Sequence, residues 1–150
     1  MRREPHVRFY EGGGAKFPSA TRPIVVDDIH VRLFGIDAPE THQTCFAGEG
    51  HEYFCGRVAA SALAEKIAGR PVTCRPRTTD RYGRTVAVCF DADGEDLDAW
   101  LVRSGLAIAY RKYSTVYVED EDSARNARRG LWAGEFVEPA AWRDAHTHAR

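Results

Sequence analysis

Apolar and polar positions alternate most clearly from residue 24 onward. Ile24-Val25-Val26, Asp27-Asp28 and Ile29-His30-Val31-Arg32-Leu33 read as two β-rich runs about a two-residue acidic turn, which predicts a hairpin. After it the periodicity lapses from Gly35 to about Gly50, and Pro39 biases Ala38 away from helix, so Asp37, Glu40 and His42 fall on irregular backbone at a strand end. From Arg57 to Ala68, Ala59, Leu63 and Ile67 recur every fourth residue beside Val58 and Ala62, with Gly69 as the stop, predicting an amphipathic helix. Val72-Thr73-Cys74 and Arg84 to Phe90 predict a second strand pair around a polar turn containing Asp80 and Gly83. A helix from about Glu95 to Ser104 ends at Gly105, and a short apolar strand follows over Leu106 to Tyr110.

A third helix is expected over about Val116 to Arg129. It has Glu119 to Asp122 in its early turns and Arg125, Arg128 and Arg129 in its last, so the acidic run reads as a solvated face matched to the helix dipole. Leu131 and Trp132 read as an anchor returning the chain to the core. Strands arriving as adjacent hairpins, not interleaved with helices, predict an α+β domain on an antiparallel sheet or small barrel. Residues 1–23, with Gly12 to Gly14, Pro18 and Pro23, read as a loose arm or degenerate first strand; 24–143 as the domain; 144–150 as a tail.

Composition narrows the class. The 150 residues are 43% hydrophobic and 29% charged, which suits one packed domain and excludes disordered, collagen-like and coiled-coil chains. With 21 Lys+Arg against 22 Asp+Glu there is no global positive field, so any polyanion must be held by a local basic site. No run approaches the roughly 18 apolar residues of a membrane span, and Met1 to Gly14 lacks the apolar core of a secretory signal. Cys45, Cys55, Cys74 and Cys89 leave three readings open. Cys74 and Cys89 fall opposite each other across the second hairpin and Cys45 and Cys55 would staple a short loop, so two disulfides are favoured; these would point to a secreted or periplasmic protein. Reduced buried thiols are the second reading, and the third is zinc held by His42, Cys45, His51 and Cys55.

Candidate chemistry gathers around two arginines and two carboxylates. Arg32 ends a strand, Asp37 and Glu40 lie three apart in the next loop, and Arg84 follows the Asp80-Arg81-Tyr82-Gly83 turn. Such a set suits phosphate: one carboxylate holds a hard cation, the other takes a proton from water, and the guanidiniums grip the oxygens. By spacing alone, the same residues also read as surface ion pairs.

The wording of these segments carries more. Val31-Arg32-Leu33-Phe34-Gly35-Ile36-Asp37-Ala38-Pro39-Glu40 closely resembles the signature of the staphylococcal nuclease (thermonuclease-like) family. Asp80-Arg81-Tyr82-Gly83-Arg84, Leu101 to Ala107 with Tyr110 and Tyr113, and Ala124-Arg125 with Arg129-Gly130-Leu131-Trp132 resemble its later segments, so the likeness runs from about Ile24 to Trp132. It implies a five-stranded OB-type antiparallel β-barrel carrying three helices. It also implies phosphodiester hydrolysis of DNA or RNA with low sequence specificity. By the same resemblance Glu40 is the general base, Arg32 and Arg84 grip the phosphate, and Asp37 is a Ca²⁺ ligand. Tyr82, Tyr110 and Tyr113 match or adjoin aromatic positions of the substrate groove, which suits single-stranded or unpaired nucleic acid; barrel packing is the alternative for the three tyrosines. Neither a membrane nor a protein partner is implied.

One departure stands out. The family carries an Asp-Gly-Asp-Thr segment before the Ile24 strand, its second Asp a metal ligand; an ungapped count places Ala20-Thr21-Arg22-Pro23 there, with Arg22 at the acidic position. A guanidinium there repels a cation, which predicts a weakened or lost Ca²⁺ site and leaves a second reading, an OB-type nucleic-acid-binding module without catalysis. Glu11 and Asp27 are the acids that a shifted loop would supply instead.

Overall fold

The computed structural model describes residues 7–9, 24–26 and 29–147. Most of the N-terminal arm, with Glu11 and Arg22, lies outside them, as do Asp27 and Asp28 of the first turn. Strand β1 is Val7–Phe9, β2 Ile24–Val26 and β3 Ile29–Leu33; β2 and β3 pair antiparallel, Ile24 opposite Val31 and Val26 opposite Ile29, as the expected hairpin requires. A turn at Phe34-Gly35 leads into β4, Ile36–Asp37, and the short strands β5, Cys45–Phe46, and β6, Glu52–Tyr53, pair with each other.

Helix α1, Cys55–Ile67, begins two residues earlier than the periodicity suggests. It buries Ala59, Ala60, Leu63 and Ile67 and turns Val58 outward. It closes on Ala68 in the left-handed conformation, whose N–H donates to the Ala64 carbonyl, and Lys66 in the last turn suits the dipole. β7 spans Val72–Thr79 and β8 Thr85–Phe90, with Cys74 opposite Cys89. β7 runs well past the expected Cys74 because a bulge between Pro76 and Thr78 absorbs a proline that cannot donate to the ladder. Helix α2, Leu97–Arg103, is capped by Asp96, whose carboxylate accepts from Ala99 N at 3.0 Å. β9, Ile108–Ala109, pairs antiparallel with β4. Helix α3 is Val118–Ala127, a 3₁₀ turn covers Gly130–Ala133, and helix α4 is Pro139–Thr147, opening on a proline as first turns allow.

The architecture is mixed α+β, but two expectations change. The five-stranded sheet has the order β1-β7-β8-β3-β2, and β3 pairs with β8 in parallel, so it is neither wholly antiparallel nor closed into a barrel among the described residues. Four α-helices occur there instead of three, the fourth reaching into residues 144–147. One core, built on Val31, Leu33, Leu63, Ile67, Leu97, Leu101 and Val102, lies between the sheet and helices α1 to α3. A smaller cluster of Cys45, Cys55, Ile108 and Leu131, with Tyr53, Trp132 and Phe136 against it, fastens the loop after β4 to the far end of the chain. No described helix is long and apolar enough to cross a membrane.

Candidate active site

Strand alternation places Arg32. Its neighbours Val31 and Leu33 face the core, so Arg32 points the other way, half-buried. The turn at Gly35 then reverses the chain, and β4 carries Asp37 into the interior, where it is 3% exposed. Glu40 follows on a loop that is held at several points. Glu40 N donates to the Gln43 side-chain carbonyl at 3.2 Å, Gln43 N to the Glu40 carbonyl at 2.9 Å, and the Gln43 amide to the Val137 carbonyl at 2.7 Å. Gln43 is fully buried, so this clamp works in a site shielded from water. Gly56 completes it, because its bare Cα lies so close beneath the Glu40 carbonyl that no side chain fits between.

Arg84 is placed by its own turn. Asp80 accepts from Tyr82 N and Arg84 N at 2.9 Å each through one oxygen and from the Arg84 Nε at 2.6 Å through the other. Burial works against the Asp80 charge, but these bonds and the guanidinium outweigh it and hold the carboxyl below the ordinary range. Arg32 and Arg84 line one cavity of about 680 Å³, together with Phe34, Asp80, Arg81, Tyr82, Tyr110, Lys112 and Tyr113. Tyr82 is 72% exposed and Tyr113 62%, so both stand at the mouth, whereas packing would bury them. Tyr110 meets Tyr113 edge-on at 4.8 Å, and Arg32 lies 6.0 Å from the Tyr110 ring.

The two carboxylates belong to a separate ionic cluster beside this cavity. Arg143, on α4, donates through Nη1 to one Asp37 oxygen at 2.8 Å and through Nη2 to the other at 3.1 Å; Nη1 also reaches Glu40 Oε1 at 3.3 Å. Burial pushes the Asp37 carboxyl up, against the bonds and charge of Arg143 and the field of Arg32, and the Glu40 charge adds to the rise. Burial of Arg143 opposes its charge, but Asp37 and Glu40 outweigh it and hold the guanidinium firmly protonated. Glu40, Thr41, His42, Trp142, Arg143, His146 and Thr147 line a groove of about 480 Å³, with Trp142 and His146 stacked at 3.7 Å. Arg32, Arg84 and the three tyrosines are therefore brought together, Asp37 and Glu40 are joined by Arg143, and the field of Arg32 on Asp37 connects the two sets.

The two disulfides that the sequence favours are present, while the free-thiol, zinc and solvated-face readings end differently. Cys45 is bonded to Cys55 and Cys74 to Cys89, so none of the four is a free thiol and Cys45 and Cys55 have no sulfur to offer zinc. Glu121, expected on a solvated face, is 3% exposed: it accepts from Ala109 N at 3.2 Å and from Arg111 at 2.8 Å, tying α3 to β9. Arg143 escaped notice because nothing local marks it; it lies 106 residues from Asp37 in sequence. The only signal in its neighbourhood is Pro139 as a helix start, with Trp142 and His146 one turn apart.

The family model described as staphylococcal nuclease homologue matches residues 30–134. The chain is 39% identical over 107 residues to the succinoglycan biosynthesis protein ExoI of Rhizobium meliloti (strain 1021), a match covering 70% of this chain and 56% of that protein. It is 34% identical over 118 residues to an uncharacterized endonuclease of Escherichia coli O157:H7, covering 77% of this chain and 71% of the other. With a micrococcal nuclease of Shigella flexneri it shares 33% identity over 134 residues, covering 81% and 71% respectively.

Proposed function

The chain belongs to the staphylococcal nuclease homologues, and on that premise we propose that it hydrolyses phosphodiester bonds of DNA or RNA with little sequence preference. The observation that carries this reading is the cavity that gathers Arg32 and Arg84 with three tyrosines beside the Asp37–Glu40 cluster. Guanidiniums bind phosphate oxygens through paired N–H donors and neutralise the charge that builds as a water oxygen attacks phosphorus. Tyr82 and Tyr113, exposed at the mouth, offer flat faces on which unpaired bases stack regardless of sequence. In the step itself Glu40 takes a proton from water as the new P–O bond forms; the departing ester oxygen keeps the electron pair of the broken bond and takes a proton from solvent.

The Ca²⁺ ion implied by the family resemblance does not fit the described residues. Such an ion takes about 6–8 oxygen ligands, yet both oxygens of Asp37 are held by Arg143. No group of three or more His, Cys, Asp or Glu among the described residues is arranged to hold a metal. The Arg143 contact to Glu40 also supports a second reading, a module that binds single-stranded nucleic acid without cutting it.

Cleavage of end-labelled single-stranded DNA and RNA oligonucleotides separates the two. Glu40→Gln keeps the shape and removes the base, so turnover is expected to fall by about 10²-fold or more. Unchanged turnover in that variant would remove Glu40 from the mechanism, and binding without cleavage by the unaltered chain would favour the second reading.

A further inference from the structure

The contact that occupies both Asp37 oxygens has a chemical content of its own. Arg143 meets Asp37 end-on, one guanidinium N–H to each carboxylate oxygen, while a third donor touches Glu40. This planar fork is the geometry in which arginine binds carboxylates and phosphates alike. The Asp37 side chain is 2% exposed, whereas that of Arg143 is 29% exposed, so the anion is sealed and the cation has a face toward the groove. Its remaining N–H donors meet no acceptor among the described residues. The groove that Arg143 shares with Glu40 measures about 480 Å³, within the range that holds a small ligand. Helix α4, which supplies it, lies beyond residues 30–134 that match the family model.

We infer that Arg143, fixed by its fork to Asp37, is a third phosphate-binding arginine: it engages the two carboxylates that the family resemblance assigns to metal and base, and offers its remaining N–H donors to a phosphate oxygen in the groove, so that the proposed hydrolysis is independent of added metal. Asp37 is then the residue that positions Arg143, and Glu40, in contact with the same guanidinium, lines the groove in which that phosphate would lie. The inference rests on the nuclease reading for its catalytic half, but the phosphate contact is measurable apart from cleavage.

Two measurements decide it. Cleavage of a labelled single-stranded oligonucleotide is compared with EDTA and with millimolar Ca²⁺; equal rates within about twofold are expected, and stimulation by Ca²⁺ would overturn the inference. Affinity for the same oligonucleotide is then followed against salt by fluorescence anisotropy in the Glu40→Gln background. Adding Arg143→Ala is expected to reduce the salt slope by about 0.7, the value of one lost phosphate contact on a single strand. Arg143→Lys, which keeps the charge and loses the fork, is expected to keep the slope and serves where the alanine variant fails to fold. A slope unmoved by Arg143→Ala, a slope that Arg143→Lys lowers in full, or faster cleavage once Arg143 is removed would each overturn the proposal, the last by making α4 a block on the site. If the unaltered chain cuts nothing in either medium, the nuclease reading fails by itself and the salt slope still decides whether Arg143 contacts phosphate.

Discussion

Gly56 offers the sharpest test of how the Glu40 loop is held. A Cβ built on this residue would lie 1.8 Å from the Glu40 carbonyl oxygen and 3.0 Å from that of Pro39. Real contacts of this kind essentially never fall below 3.0 Å, so Gly56→Ala demands a displacement of about 1.2 Å. Neither side yields easily. Gly56 is in the first turn of α1, next to a disulfide-bonded cysteine, and the Glu40 carbonyl belongs to a loop tied down by Gln43. In an unobstructed helix the same substitution would stabilise by about 0.5–1 kcal/mol, so a net loss of about 1–3 kcal/mol, typical of overpacking, would register the clash. A shift of about 1 Å in a reacting group costs on the order of 10²-fold in rate. The expectation is therefore a kcat down by about that factor in single-turnover cleavage. Oligonucleotide affinity should change less than about threefold, because the cavity of Arg32 and Arg84 is built from other elements. A folded Gly56→Ala protein with unaltered kcat would refute the argument, showing that the position of the Glu40 backbone does not govern the chemistry.

Two further outcomes follow from the buried groups. Asp98 has no solvent exposure; one oxygen accepts from Cys89 N at 3.2 Å and the other has no hydrogen-bond partner among the described residues, so burial, with the Asp96 charge behind it, pushes its carboxyl well above the ordinary range despite the backbone bonds it accepts. A raised native value means that the folded state holds the proton more tightly. Its contribution is complete below the ordinary value of 3.8 and is lost as pH climbs through the raised one. Asp98→Asn, neutral throughout, should thus gain on the unaltered protein from pH 4 to 8 in urea unfolding, and a pH-independent difference would contradict this. The two disulfides should differ in effect. Replacing Cys45 and Cys55 by serine is expected to cost about 2–4 kcal/mol and to lower kcat, because it frees the start of α1 under Glu40. Replacing Cys74 and Cys89 should cost a similar amount of stability and leave kcat nearly intact, since the ladder already holds that pair in register; melting curves and cleavage on the same samples separate the cases.

What was legible in the sequence is what short-range physics decides. The first hairpin, α1 and α2 carry apolar positions in the pattern of their own geometry, α3 is marked by acids in its first turns and arginines in its last, and the Cys74–Cys89 pairing follows from counting across one turn. The parallel contact of β3 with β8 joins residues more than fifty apart and leaves no periodic trace, so the sheet was expected to be antiparallel. β7 continues beyond the apolar run Val72 to Cys74 because its later residues are polar and exposed and Pro76 is accommodated by a bulge, neither of which an apolar pattern signals. Of the site, Arg32, Arg84 and the tyrosines were found through motif wording and do share a cavity. The partners of Asp37 and of Glu121 were not found, because which arginine a buried acid meets is a fact of tertiary packing.

The same pairing explains how a chain of net charge −1 presents a basic cavity. Several of its acids are spent internally: Glu121 is held by Arg111, Asp120 by Arg103, Asp93 by Arg70, and Asp37 by Arg143. At the cavity, Asp80 is tied to Arg84, but Arg32, Arg81 and Lys112 form no ion pair among the described residues and stand over tyrosine rings instead. A polyanion approaching this face therefore meets cations that form no ion pair among the described residues, beside stacking surfaces, and the near-neutral total conceals them. Arg81 and Lys112 drew no notice as residue types in a balanced chain, yet the salt dependence of binding counts them and not the total. Replacing either should lower the affinity for every oligonucleotide alike, whereas loss of Tyr82 should be felt only where a base is free to stack.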